Sequence, residues 1–261
     1  GSMYDVVLTN GLIVDGAGGK PYRACVGIKD GKIADIAQDL PDGQKSLNIA
    51  GMAVSPGFID LHSHSDVSFL MSERLEGKVF QGVTTEVVGN CGLSLTPRRK
   101  ETLAEHKKFV YDKGFSFFAG PLQWDFDALQ DYAAALKGRK KAINCAPLTG
   151  QGTLRVCAMG PENRPANDYE MEMMKDKLDE ELSQGSFGMS AGLFYFPGIF
   201  SSRSELVNLA QIIARHEAIF TVHMRSESDH IFDSVDDMIG IAKESGAAIH
   251  ISHMKLMGRP Q

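Results

Sequence analysis

From residue 54 onward the chain alternates short apolar runs with longer amphipathic stretches, and that alternation leaves few folds open. The apolar runs are "AVSPGFIDLH", "VTTEVVGN", "KAINCAPLT", "SFGMSAGLF", "AIFTVHMR" and "AAIHISHM". Each has the length and apolar character of a buried strand. Between them the helical period predicts helices over residues 72–81, 125–137, 168–184, 202–217 and 231–245. Strands that alternate with helices in this way form parallel β/α units. Asn167 and Asp168, with Glu170 following, provide capping residues for the third helix. Gly185 and Gly246 fall just past helix ends, where a left-handed cap is expected. Residues 94–124, with "FSFFAGPLQW", read as an insertion after the second strand, and "PRRK" (97–100) within it as a solvated helix start.

Residues 3–54 follow a different rule. "YDVVLT" runs into Asn10-Gly11 and then "LIVD"; "ACVGIK" runs into Asp30-Gly31 and then "KIADIA". Both dipeptides supply the positive φ angles of two-residue hairpin turns, which predicts a small β domain over 1–54 ahead of a β/α domain over 55–261. The Gly-Ser before Met3 reads as a cleavage scar. An eight-stranded β/α barrel takes roughly 250 residues, whereas 207 follow position 54 and the strand candidates number six. The expected fold is therefore α/β: a TIM-like (β/α) barrel with about six of its eight units, interrupted before strands 7 and 8. A small N-terminal β-sandwich-type domain precedes it. Unpaired edges at the first and sixth barrel strands would invite pairing.

Composition narrows the partners. A net charge of −6 with no basic run argues against nucleic acid. No apolar stretch reaches the ~20 residues of a membrane span. Four cysteines without a CxxC pair fit a reducing compartment, so a cytoplasmic location is expected, with a small molecule rather than a macromolecule as partner and homo-oligomerisation left open.

Within this frame "FIDLHSHSD" places His62 and His64 two apart on a strand, hence on one face, at the mouth where barrel active sites lie. A lone histidine is more often a packed or hydrogen-bonded one. Here Asp60 and Asp66 flank the pair, and metal-bound imidazole wants carboxylates nearby. The same structural place on other strands carries Cys91 in "VVGNCGLS", His223 in "FTVHMRSES" and His253 in "IHISHMK". Cys91 alone reads as a small buried hydrophobe. Five nitrogen or sulfur donors at four strand ends instead match what Zn²⁺ prefers. His250 points to the opposite face of its strand, and His106, His216 and His230 carry no metal signal.

At these residues the chain resembles a family. "SPGFIDLHSHSD", "NCGLS", the Gly150–Arg155 segment "GQGTLR", "GMSAGLFYFPG", "VHMRSES" and "SHMK" together look like the D-aminoacylase, or N-acyl-D-amino-acid deacylase, branch of the amidohydrolase superfamily. The resemblance implies a tight zinc site from Cys91, His223 and His253, and a second, weaker site from His62 and His64. Strand four, "SFGMSAGLF", has no lysine to bridge two metals, in agreement with the cysteine taking that role. Lys255 matches the family lysine that binds the substrate carboxylate, and Tyr195, Phe194 and Arg203 follow strand four, where substrate contact is expected. The implied reaction is zinc-dependent hydrolysis of N-acyl-D-amino acids to a D-amino acid and a carboxylate. The family's proton carrier, an aspartate ending strand eight, would lie beyond residue 261, so no catalytic acid or base is assignable. The competing readings are a dihydroorotase-like hydrolase of cyclic or peptide amides and a non-catalytic, self-associating relative.

Overall fold

The computed structural model describes residues 3–112 and 126–258. The chain divides into two compact units, Gly1–Phe58 and Ile59–Gln261.

In the first unit β1 (Val6–Ile13), β2 (Tyr22–Lys29), β3 (Lys32–Ala37) and β4 (Lys45–Asn48) form a sheet in the order β3-β2-β1-β4, and β5 (Ala53–Val54) also pairs with β1. β1, β2 and β3 pair antiparallel; β4 and β5 lie parallel to β1. Asp30 and Gly31 take φ of 50° and 74° between paired Lys29 and Lys32, the tight hairpin expected of them. Asn10-Gly11 does not turn the chain. β1 runs straight through it, Asn10 adopts φ of 62°, and the pairing with β2 shifts register between Leu8 and Gly11. The dipeptide makes a bulge because Leu12 and Ile13 go on pairing with β2 and with β5, bonds that a hairpin there would forfeit.

In the second unit β6 (Phe58–Asp60), β7 (Val83–Val88) and β8 (Asn144–Pro147) form one sheet, and β9 (Thr149–Gly150), β10 (Gly188–Gly192), β11 (Ile219–His223) and β12 (Ala248–Ile251) form another, in the order β12-β11-β10-β9. β7 and β8 pair parallel, as do β9 with β10, β10 with β11 and β11 with β12. β8 and β9 are successive parts of one run interrupted at Leu148, whose N–H is donated to Val88 O, so this run passes from the first sheet to the second. Every strand candidate is present, though shorter than its apolar run.

The helices are α1 (Ser68–Met71), α2 (Glu76–Val79), α3 (Leu103–Asp112), α4 (Leu129–Lys137), α5 (Gln151–Met159), α6 (Asp168–Ser183), α7 (Arg203–Arg215) and α8 (Ile231–Ser245). Of the helix expected over 72–81 only the short α2 forms; α1 ends at Met71, before that range, and Leu75, with φ of 45°, keeps the two apart. α5 was not legible as a helix, because eight of its nine residues are buried and no polar stripe marks a period. The cap on α6 is as expected: Asn167 Oδ1 accepts from Glu170 N–H, and the Glu170 carboxylate accepts from Asn167 N–H, both at 2.9 Å. Gly246 ends α8 in the left-handed conformation. "PRRK" does lead into a helix, through a 3-10 turn at Lys100–Thr102 that runs into α3, but it is not solvated throughout. Arg98 is buried and its Nε donates to Asp127 at 2.7 Å. "FSFFAGPLQW" lies outside the described residues.

The main core packs α6 and α7 on β10 and β11. Leu206, Leu209 and Ile213 recur at helical spacing along α7 and meet Met189, Ala191, Phe220 and Val222. A charged network sits inside this apolar layer. Arg155 of α5, fully buried, donates to Glu205 of α7 at 2.6 Å, and Gln151 Nε2 donates to the same carboxylate at 2.7 Å and to Ser201 at 2.6 Å. This fastens α5 to the start of α7 and to Ser201 in the segment after β10, which also carries Tyr195. Among the described residues no helix is long and apolar enough to cross a membrane.

Candidate metal centre

Parallel strands put their carboxyl ends on one side, and the candidate ligands all follow such ends. His62 and His64 lie beyond β6, Cys91 beyond β7, His223 is the last residue of β11, and His253 lies two past β12. His62 and His64 are therefore not on a strand, and their convergence does not come from strand alternation. A loop past Asp60 brings their rings to 5.3 Å between centroids. Asp60 shapes that loop by accepting from His62 N–H at 3.1 Å, and Lys78 holds Asp60 and the fully buried Glu86, each at 2.7 Å. Ser63 donates to the same Glu86 at 3.0 Å.

Cys91 is the centre of the arrangement. Its Sγ lies 3.4 Å from His62 Nε2, 3.9 Å from His223 Nδ1 and 3.9 Å from His253 Nε2. Two donor triads share it, His62–His64–Cys91 and Cys91–His223–His253, with the donor atoms of each within 4.8 Å of one another. Zinc bound at 2.0–2.3 Å in a tetrahedron separates its ligand atoms by roughly 3.4–3.8 Å, so the second triad is close to the spacing the ion needs. Cys91 reaches this point through a left-handed backbone, φ of 55°, beside Gly92 at 80°. Such a conformation costs a residue with a side chain about 1–2 kcal/mol.

The electrostatics fit the same ion. Burial, with His64 and then His253 nearby, pushes the His62 imidazole down to about 4. Burial and His253 push His223 down to about 4 as well. Both are neutral at pH 7, with lone pairs available to a cation. Burial raises the Cys91 thiol, so its thiolate wants a positive partner. Tyr195, in the loop after β10, brings its hydroxyl to 2.6 Å from His223 Nδ1 and so into the same space; burial and the neighbouring Cys91 raise its pKa and keep the phenol protonated.

The carboxylate that serves the histidines is not the expected one. Asp60 is engaged by Lys78. Asp66 is buried, its carboxyl is pushed up to about 7 by burial, and its backbone oxygen accepts from Tyr132. Glu227 takes the role instead. Buried in "VHMRSES", it pairs with His253 Nδ1 and Lys255 Nζ and lies 3.8 Å from His223 Nε2. The pairing holds His253 with Nε2 toward Cys91. Its position four residues after His223 was the only sequence signal.

Lys255 thus sits beside the cluster, half-exposed and tied to Glu227. Phe194 stacks on His223 with centroids 5.9 Å apart. Arg203 is not brought to the centre. It begins α7 and its guanidinium is held by Asp237 and Glu244 of α8. His250 is exposed. His106 is fully buried on α3, with Nε2 3.4 Å from Ser94 O.

Residues 47–261 match the model of the amidohydrolase family. The chain is 34% identical to the D-aminoacylase of Alcaligenes xylosoxydans xylosoxydans over 98% of its own length and 52% of that protein's. A D-aminoacylase structure solved to define the role of its binuclear metal centre superposes with a TM-score of 0.87 at 33% identity, covering 98% of this chain and 52% of that one. The N-acyl-D-glutamate deacylase of Bordetella bronchiseptica, solved with zinc and a phosphonate mimic of the tetrahedral intermediate, does so with 0.87 at 34% identity, over 97% and 52%. The chain spans about half the length of these relatives. The likeness gives it their TIM-barrel-like α/β fold, and with the family model matched over most of its length, the chain belongs to the amidohydrolase family.

Proposed function

We propose that this chain carries the metal-binding half of a zinc-dependent N-acyl-D-amino-acid deacylase. It would contribute about six β/α units of a barrel over 55–261 and part of a small β domain over 1–54. The observation that carries the reading is the Cys91 thiol 3.9 Å from one nitrogen each of His223 and His253, a soft donor set drawn from three separate strand ends. Cys91, His223 and His253 would hold the tight zinc, and His62 and His64, with Cys91 shared, a weaker second cation. When bound, zinc supplies Lewis acidity and eases the deprotonation of water at neutral pH.

The protein's own groups bind and orient the substrate and stabilise the charge that develops on it. Lys255 pairs with the free α-carboxylate of the substrate and orients the scissile bond. Tyr195 donates its hydroxyl proton in a hydrogen bond to the carbonyl oxygen as negative charge develops there. Glu227 holds Lys255 and His253 in register. In net, water is added across the C–N bond: its hydroxyl goes to the acyl carbon and its proton to the departing amine, by a carrier to which no residue of this chain is assigned, and the products are a carboxylate and a D-amino acid. The four cysteines are all unpaired, which supports a reducing, cytoplasmic setting for this chemistry.

The test is release of amine from N-acetyl-D-amino acids by the zinc-replete protein, with the L-enantiomers and a hydantoin as comparison substrates. Release confined to the D-series supports the proposal; release from the hydantoin alone, or from no amide, overturns it. Two variants probe the assigned roles. Tyr195→Phe is expected to lower kcat by roughly 10²-fold with little change in KM, and an unchanged kcat would remove Tyr195 from the reaction. Glu227→Gln is expected to weaken zinc binding roughly 10–100-fold in a chelator competition. An unaltered affinity would mean that His253 needs no orienting carboxylate.

A further inference from the structure

Beside the metal-site residues lies a cavity of about 180 Å³ that the metal chemistry leaves unused. His64, Cys91 and Tyr195 line it on the side of the centre. Its walls are Leu93, Phe109, Phe196 and Pro197, and neither His253 nor Lys255 borders it. Its floor is main chain: a Cβ on Gly152 would lie 2.7 Å from Gly92 O, and one on Gly198 would lie 2.3 Å from Gly192 O. Both positions line the cavity, and the peptides there are packed too closely to admit a side chain.

Resting on the deacylase reading, we infer that this cavity is the acyl-chain subsite and that it takes straight, apolar acyl groups of limited length. An N-acyl amino acid has two arms diverging from its amide. Lys255 lies on the His253–Glu227 side, which suits the arm bearing the α-carboxylate. The cavity opens at His64 and Cys91, so a carbonyl held at the centre sends its other arm between Phe109 and Phe196. Among the described residues the polar side chains that line this space, His64, Cys91 and Tyr195, all lie on the side of the metal centre, so a charged or strongly polar group at the far end of the acyl chain has no partner there. An apolar cavity of ~150 Å³ accepts a benzene-sized guest of six carbons, so this one holds an acyl chain of roughly six carbons and no more.

The experiment measures kcat/KM for one D-amino acid carrying formyl, acetyl, butyryl, hexanoyl and decanoyl groups. Rates should rise roughly fourfold per added methylene while the chain still fills the cavity, then fall at least tenfold from hexanoyl to decanoyl. Inhibition by acetate, butyrate, hexanoate and decanoate should follow the same order, read without turnover. Phe196→Ala, at a half-buried wall position, and Phe109→Leu, deeper in, should each raise the decanoyl-to-hexanoyl ratio at least tenfold, whatever happens to the absolute rates. Hydrolysis with a flat chain-length profile, or a ratio that neither folded variant moves, overturns the subsite and leaves the deacylase standing. No hydrolysis at any chain length overturns the deacylase and the subsite with it.

Discussion

Replacing Cys91 with alanine should strip both triads of their common donor, leaving less than one tightly held zinc per chain by elemental analysis. On the proposed deacylase function, hydrolysis of N-acyl-D-amino acids should fall by at least about 10³-fold, since the lost Lewis acid would contribute several kcal/mol to the transition state. The expectation rests on position as well as chemistry. The thiol is within 3.9 Å of one nitrogen each of His62, His223 and His253, and no other residue belongs to both triads among the described residues. Losing His64 removes a ligand from one triad; losing Cys91 leaves two imidazoles in each, too few for a stable zinc site. If Cys91→Ala retains stoichiometric zinc through dialysis, the tight site is built from other residues.

The second large effect is on stability, at a pair away from the metal. Glu205→Ala would leave Arg155 charged and fully buried with no carboxylate partner. Breaking a buried pair from one side costs about 3–5 kcal/mol. Gln151 would also lose the carboxylate that accepts from its amide. For a chain of this size that lowers the melting temperature by roughly 6–20 °C, at ~2–4 °C per kcal/mol, readable by circular dichroism or by the shift in denaturant midpoint. Replacing Arg155 and Glu205 together by apolar residues of similar volume should cost much less, because the uncompensated charge is what destabilises. A fall below about 1 kcal/mol for the single substitution would mean that water reaches Arg155 in solution.

How much of this could be read from the sequence depends on whether the signal was local. The β/α alternation was legible because each strand is a short apolar run and α6, α7 and α8 keep a polar face. α5 was hidden because burial on nearly all sides erased its period. The convergence of Cys91, His223 and His253 was legible, since each lies at or just past the carboxyl end of a strand and parallel strands put those ends on one side. His62 and His64 were identified as a pair for a geometric reason that does not hold: the strand stops at Asp60, and the convergence depends on Asp60, Lys78 and Glu86, whose contacts span up to 18 residues of sequence. Glu227 and Arg203 show the same limit from opposite sides. A carboxylate four residues after a ligand, and an arginine eight residues after a candidate aromatic, look alike in the sequence. Only packing separates the one that faces His253 from the one that faces α8.

The left-handed backbone at Cys91 also bears on how this site ages under mutation. Glycine would occupy that conformation without strain, and a stability screen on metal-free protein would therefore favour it over cysteine. Selection for a sturdier fold and selection for a metal ligand pull on the same codon in opposite directions. A lineage released from the need for the reaction would be expected to lose this thiol before it lost the histidines around it, whose backbones carry no such tension.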